Sequence, residues 1–410
     1  MPETQTAIRF ASAVSTADSA AAAVAEVTDA LHDALAAPVD LAVVFASTAH
    51  REAIETIRDR LRQTLAPQVL IGCTAQGVVG VQQELEEGPA LSVLAGTLPG
   101  ATLHAFRCDQ PDWPKVTRSP ARLREAVQGT IDEGAAKAVI LLADPFTTPL
   151  VRFLPALDEA VPGAAVVGGI ASGGEKAGDN RLLLDDAVID EGAVGVTLAG
   201  DIDVQTTVSQ GCRPIGQPLI ITRAKRHVVQ QLGGRSALQV IQEMAQDLDD
   251  EDQQLVHDNG LLVGRVINEY KQRFGRGDFV VRGLVGVDQD QGYIAIGDPQ
   301  VRVGQTVQFH VRDQKTAAED LAMMLDLQKV HGPAAGGLLF TCNGRGTNLF
   351  DEPNTDVNLI HAALGQMPLA GFFAAGELGP LGPERASFVH GHTASLIAFR
   401  SAGNEQDTLE

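Results

Sequence analysis

Cysteine is scarce in this chain. Cys73, Cys108, Cys212 and Cys342 are the only four in 410 residues, and no two form a C-x-x-C pair. That spacing excludes a disulfide framework and a structural zinc site, and so few thiols fit a reducing compartment. Positive charge is also short, at 31 Lys and Arg against 52 Asp and Glu, for a net charge of -21. Such a surface repels phosphate backbones and anionic lipid, so neither nucleic acid nor a membrane is an expected partner. No apolar run approaches the roughly 20 residues that cross a bilayer, and "MPETQTAIRF" lacks the basic start and apolar core of a signal peptide. A cytoplasmic protein is therefore expected. The chain has no G-x-x-x-x-G-K-[ST] loop, dinucleotide fingerprint, G-x-S-x-G elbow or H-E-x-x-H helix, which argues against ATP and NAD as cofactors.

With 44% hydrophobic and 20% charged residues, the composition is that of a folded globular chain. At 410 residues it exceeds one ordinary core, so two domains and a cleft between them are expected. Short apolar runs bounded by polar residues read as buried strands. "LAVVFAS" (41–47), a helix over about 50–65 and "VLIGC" are followed by a glycine loop and then by "PALSVLAGTL" and "TLHAFRC". The same order returns with "AVILLAD", a helix over about 151–160, "AVVGGIA", the loop "SGGEKAGDN", "GAVGVTLAG" and "VQTTVSQG".

A looser copy runs from a helix over about 237–245 through "GLLVGRV", a helical piece reaching Tyr270, "FVVRGLVGV", "GYIAIGDP" and "TVQFHVRD". A clean one follows with helices over about 317–330 and 357–364 around "GLLFTC", then "LAGFFAAG" and "TASLIAFR". The fold class is thus α/β, with two domains built from four repeated strand-helix-strand-strand units, mixed sheets and helices packed outside. The seam falls near "CRPIGQP", giving domains 1–222 and 223–400. The acidic run "QDLDDEDQQ" reads as a linker or solvated loop, and residues 401–410 as a disordered tail.

Glycine-rich loops recur after the second strand of the units, in "GCTAQGVVG", "GGIASGG" and "AAGELGP". Glycine lets backbone amides approach a small acidic or zwitterionic ligand, although each loop also needs glycine simply to turn. In "LLFTCNGRGTNLF" Arg345 lies between two glycines, offering a planar fork for a carboxylate, while Glu377 in "AAGELGP" suits an ammonium group. The pair fits an amino acid, or the two side chains bind each other. Cys342 with His390 or His392 suggests a thiol and its base, but no further catalytic constellation accompanies them. "FVHGH" also places the two histidines on one face of a strand, a possible metal or haem pairing.

The motifs "GDFVVRGLVGVD", "FTCNGRGTNLF", "PLAGFFAAGELGP" and "FVHGHTASL", with "LIGCTAQGVVG", "VVGGIASGG" and "GCRPIG" upstream, resemble the FIST family (F-box and intracellular signal transduction) over about residues 41–399. The resemblance implies a FIST N-like and a FIST C-like domain and a ligand-binding signalling module for amino acids or similar small molecules. It also implies output through a separate protein such as a kinase or cyclase, because the FIST-like part fills the chain. By motif match the ligand-binding positions are Gly72, Cys73, Thr74, Gln76, Gly168, Gly169, Cys342, Asn343, Arg345, Gly346, Gly376 and Glu377. Some family members are stand-alone bacterial proteins and a subset bind haem and sense nitric oxide, which makes His390 the alternative haem ligand. Otherwise no cofactor or metal is expected, and no enzymatic activity. An enzyme with Cys342 as nucleophile is the reading from another class.

Overall fold

The computed structural model describes residues 7–402 apart from 36, 110, 133 and 383–385. Of the expected tail, 403–410 lie outside the described residues. The described residues are mixed α/β, with four sheets and helices laid against them.

Three of the sheets repeat one plan. In each, a parallel pair of strands joined by a helix is flanked by an antiparallel strand that closes the repeat, and outside that by the strand that opens it. The parallel pairs are Leu41–Ser47 with Val69–Ala75, Ala138–Ala143 with Ala165–Ile170, and Gly336–Cys342 with Leu369–Ala374. Every residue in these six strands is buried, so they read as continuous apolar runs without alternation. The opening strands are Arg9–Ser15, Ala101–Cys108 and Ile202–Gln210. Each lies beside the closing strand of its own repeat, Leu91–Thr97, Ala193–Gly200 and Thr393–Ser401 respectively.

A cyclic exchange ties the repeats together. After its second parallel strand, each repeat sends a hairpin to a neighbour. Val78–Val79 of the first repeat pairs with the third at Phe372 and Gly371. Glu377–Leu381 of the third pairs with the second at Gly169 and Gly168. Leu182–Leu184 of the second pairs with the first across Ile71–Cys73. No repeat can complete its sheet without another.

The apolar faces turned inward form one core drawn from all three repeats, in which Phe45 packs on Phe372 at 4.9 Å and on Phe340 at 6.2 Å between ring centroids. Outside it, helices cover each sheet. Ile54–Leu65 shows why: Ile54, Ile57, Leu61 and Leu65 recur every three or four residues and are all buried.

The looser sequence copy is a different object. Residues 212–312 form the fourth sheet, inserted between the opening strand and first helix of the third repeat, and its ends meet as Cys212 opposite Arg312. Its central strands Leu262–Val266 and Phe279–Asp288 run antiparallel, and it has an apolar core of its own. Two details differ from expectation. The run expected to be a linker begins the helix Asp250–Asn259, because Asp249 caps it through the Asp252 amide at 2.8 Å and three carboxylates of the first turn favour the helix N-terminus. The expected helical piece through Tyr270 is a turn, in which the Asn268 side chain accepts from the Tyr270 amide at 3.0 Å.

Candidate functional site

The carboxyl ends of all three parallel pairs open onto one cavity of about 780 Å³. Thr48, Pro145 and Asn343 line it just past the first strand of each pair, and Gln76, Ser172 and Ala375 just past the second. The equivalence is set by a glycine. Gly72, Gly168 and Gly371 lie opposite Val44, Leu141 and Leu339, and a β-carbon there would stand 2.2, 1.8 and 1.9 Å from the facing carbonyl oxygens. Four residues beyond each glycine comes the lining residue, Gln76, Ser172 or Ala375. Strand ends at which several loops converge are where α/β folds place ligands.

The loops are locked to one another. The Ser172 hydroxyl of the second repeat accepts from the Gln76 amide of the first at 2.9 Å and donates to the Phe373 carbonyl of the third. The Asn343 amide nitrogen points to Gln76 Oε1 at 3.5 Å. Arg51 adds the only cation of the lining, with Glu175 and Asp179 as carboxylates and half-exposed Phe146 as an apolar wall. Arg51 Nη1 reaches the Gly173 carbonyl at 3.4 Å. The amide nest expected in "SGGEKAGDN" is filled from within, since Asp179 accepts from the Glu175 and Lys176 amides, both at 3.2 Å.

Of the residues picked by motif, Gln76 and Asn343 face this cavity. Gly72, Cys73, Gly168 and Gly169 lie within buried strands, where the glycines allow close strand and ring packing. Thr74 is also buried and holds the loop of the second repeat, accepting from the Arg181 amide at 2.9 Å. Cys342, Arg345, Gly346, Gly376 and Glu377 stand behind the rim and are all buried. Arg345 is wholly enclosed, and Asp356, not Glu377, is its partner, through Nε to Oδ2 at 2.8 Å and Nη2 to Oδ1 at 2.6 Å. Burial pulls its pKa down, but the charge and hydrogen bonds of Asp356 together with the fields of Cys342 and Glu84 leave it above the ordinary value. Glu377 accepts from the Thr393 amide and hydroxyl, and burial pushes its carboxyl up to about 8.

Cys342 is 7% exposed, and burial followed by the Glu377 charge pushes its thiol up to about 12, which works against the thiolate a nucleophile needs. His390 is 3% exposed with Nε2 held at 3.0 Å by the Gly379 carbonyl, and burial lowers its pKa to about 4. A ring enclosed in this way, with Nε2 already engaged, does not fit a haem. Sequence reasoning missed Arg51, Ser172, Glu175 and Asp179. The signal was present in the repeat itself, because counting forward from the shared glycine marks Ser172 as the counterpart of Gln76.

A family model for the FIST N domain matches residues 40–235, and one for the FIST C domain matches 237–380. The two matches meet inside the inserted sheet, so both supply strands to shared sheets. An uncharacterized protein of Mycobacterium tuberculosis is 40% identical over 396 residues, covering 96% of this chain and 100% of its own length. Another, of Mycobacterium bovis, is 40% identical over 395 residues, covering 96% and 99%. Among solved structures, cyanuric acid hydrolase from A. caulinodans aligns over 97% of this chain and 100% of its own, with 10% identity and a TM-score of 0.32. A second cyanuric acid hydrolase aligns over the same shares at 9% identity and a TM-score of 0.28. Against the expectation that the chain is not an enzyme, both of these solved structures are of hydrolases. At these scores the likeness assigns it no activity. Among the described residues no helix is long and apolar enough to cross a membrane.

Proposed function

Since this chain belongs to the FIST family, whose domains are sensory domains of signal transduction, we propose that the cavity on which the three repeats converge, the axial cavity, is its sensing site and that it takes an amino acid or a close zwitterionic analogue. The observation that carries this reading is the convergence of six strand ends on one cavity whose lining holds both a cation and carboxylates. Arg51 offers its guanidinium to the ligand carboxylate, Glu175 and Asp179 attract the ammonium group, and Gln76, Ser172 and Asn343 supply neutral hydrogen-bonding groups. The Ser172 bridge gives the ligand leverage, because a shift in one loop is felt by all three repeats. Occupancy is then passed to a separate signalling protein, for which a kinase or a cyclase is the class the family resemblance implies. All four cysteines are free, which accords with a reducing, cytoplasmic setting.

A thermal-shift screen of the amino acids and their decarboxylated and deaminated analogues tests this. One zwitterion class should raise the melting temperature saturably, and Arg51→Gln should weaken that ligand by about tenfold or more, as expected for loss of a charged hydrogen-bonding partner. No response to any zwitterion, or an unchanged affinity in Arg51→Gln, would remove the axial cavity as an amino-acid site.

A further inference from the structure

The inserted sheet carries a cleft of its own, which shares no lining residue with the axial cavity. Its first strand, Cys212–Lys225, pairs with Thr306–Arg312 on one side and with Val228–Leu232 on the other, so the sheet closes on itself around its apolar core. That wall is broken between Ile215 and Leu219, where the pairing with Thr306–Arg312 slips out of register and the Gln308 side chain donates to the Gly216 carbonyl at 3.0 Å. The helix Ala237–Asp247 faces the break and leaves a cleft of about 370 Å³, at the small end of the range for ligand sites. Glycine is needed at the break: φ of Gly216 is +61°, and a β-carbon there would press on Met244 Sδ at 3.0 Å.

The interior of the cleft is apolar, with buried Phe309 and Val240 and half-buried Leu219, Met244 and Leu248. Helical spacing puts Glu243 and Asp247 on the same face as Val240 and Met244. Glu243 is already engaged: one oxygen accepts from the Gln239 side chain at 2.8 Å and the other pairs with Arg235, the only cation of the lining. Asp247 has no ion pair or side-chain hydrogen bond among the described residues. It is also the last residue of its helix, whose final turn holds no basic residue, so the negative helix end and the carboxylate act together. One uncompensated negative charge beside an apolar interior matches an amphipathic monocation.

We propose that this cleft binds a small organic cation, an alkyl or aryl amine whose apolar body lies against Phe309 and Val240 and whose ammonium group meets Asp247 and the end of the helix. A zwitterion suited to the axial cavity would bring its own carboxylate toward Asp247 and be disfavoured. The two sites therefore select different ligands.

The test uses phenethylammonium chloride as the probe, titrated into the full chain at constant ionic strength, with melting temperature and calorimetric affinity as readouts. Sodium 3-phenylpropionate carries a like body with the opposite charge. Phenethylammonium should give a saturable response and phenylpropionate none. Asp247→Asn removes the charge at an exposed position and should weaken the amine about threefold. Met244→Trp fills the cleft and should abolish the response. An affinity unchanged in Asp247→Asn, or a response that survives in folded Met244→Trp, overturns the proposal, since an amine held by the carboxylates of the axial cavity would feel neither substitution. So does a failure of the unaltered chain to respond to phenethylammonium, or an equal response to the two probes, even if Met244→Trp does not fold.

Discussion

Arg345 was legible in the sequence as an unusual residue, but its partner was not. Asp356 lies eleven positions further on, in the first turn of a helix, a spacing that resembles any surface acid, while Glu377 sits in the more conspicuous glycine context. In the structure Arg345 and Asp356 are both 0% exposed, and Thr341 donates to the same carboxylate at 2.8 Å. Arg345→Ala therefore leaves a buried carboxylate unpaired, at a cost of about 3–5 kcal/mol. The urea midpoint should fall accordingly, and a midpoint equal to that of the unaltered chain would show that Asp356 finds another partner or water. Glu377 offers the complementary pH test. Its carboxyl is raised from 4.5 to about 8, so the folded state holds the proton more tightly than the unfolded chain. The resulting stabilisation is complete below the ordinary carboxyl pKa and is lost as pH rises toward about 8, with a slope of up to about 1.4 kcal/mol per pH unit. Glu377→Gln should flatten part of the decline in stability between pH 5 and 8. Parallel curves for the two proteins would mean that Glu377 is ionised throughout that range.

At the scale of elements, the six strands of the parallel pairs were readable because burial on both faces gives short, unbroken apolar runs such as "LAVVFAS" and "AVILLA". The exchanged hairpins were not. Val78–Val79 and Glu84–Leu85 are two residues each, too short for any periodicity, and the strand that Val78–Val79 joins, Leu369–Ala374, lies far along the chain. Nor could composition show that Gly72, Gly168 and Gly371 serve strand packing instead of ligand contact, because a glycine beside a loop looks the same in either role. The structure separates the two, since each β-carbon would fall within 2.2 Å of a facing carbonyl oxygen. Gly72→Ala, Gly168→Ala and Gly371→Ala should each force a parallel pair apart and lose at least about 1–3 kcal/mol. Gly391→Ala, with nothing within 4 Å, should melt like the unaltered chain. If the four variants melt alike, the close approach of these strands is relieved by a small slide and the glycines set no register.

Across the whole molecule, the sequence suggested four like units with one looser than the rest, whereas the structure has three repeats and the loose segment is a different sheet inserted into the third. That fact is carried by pairing: Cys212 faces Arg312 across an antiparallel ladder, so chain segments a hundred residues apart come within about 5.5 Å. The helix beyond the insertion is tied directly to the strand before it, through Asp320 accepting from the Ser209 hydroxyl at 2.7 Å and the Gln210 amide at 3.0 Å. The insertion buries a core made entirely of its own residues, whereas the central core draws on all three repeats. Side-chain bonds across the junction include Arg282 to the Val389 carbonyl at 2.7 Å and Gln210 to the Phe279 carbonyl at 2.7 Å. Replacing residues 213–311 with a two-glycine turn should therefore leave a three-repeat core that melts in one cooperative step and keeps its axial ligand response, since none of the residues lining that cavity lies in the insertion. By contrast, ending the chain at residue 235 removes the hairpin that completes the second repeat, along with most of the third, and should yield no cooperative fold. Near-ultraviolet circular dichroism through a thermal ramp distinguishes these outcomes. Loss of fixed aromatic packing in the excised chain would mean that the inserted sheet is part of the core's stability, and a cooperative melt of the truncated chain would mean that the exchanged hairpins are dispensable.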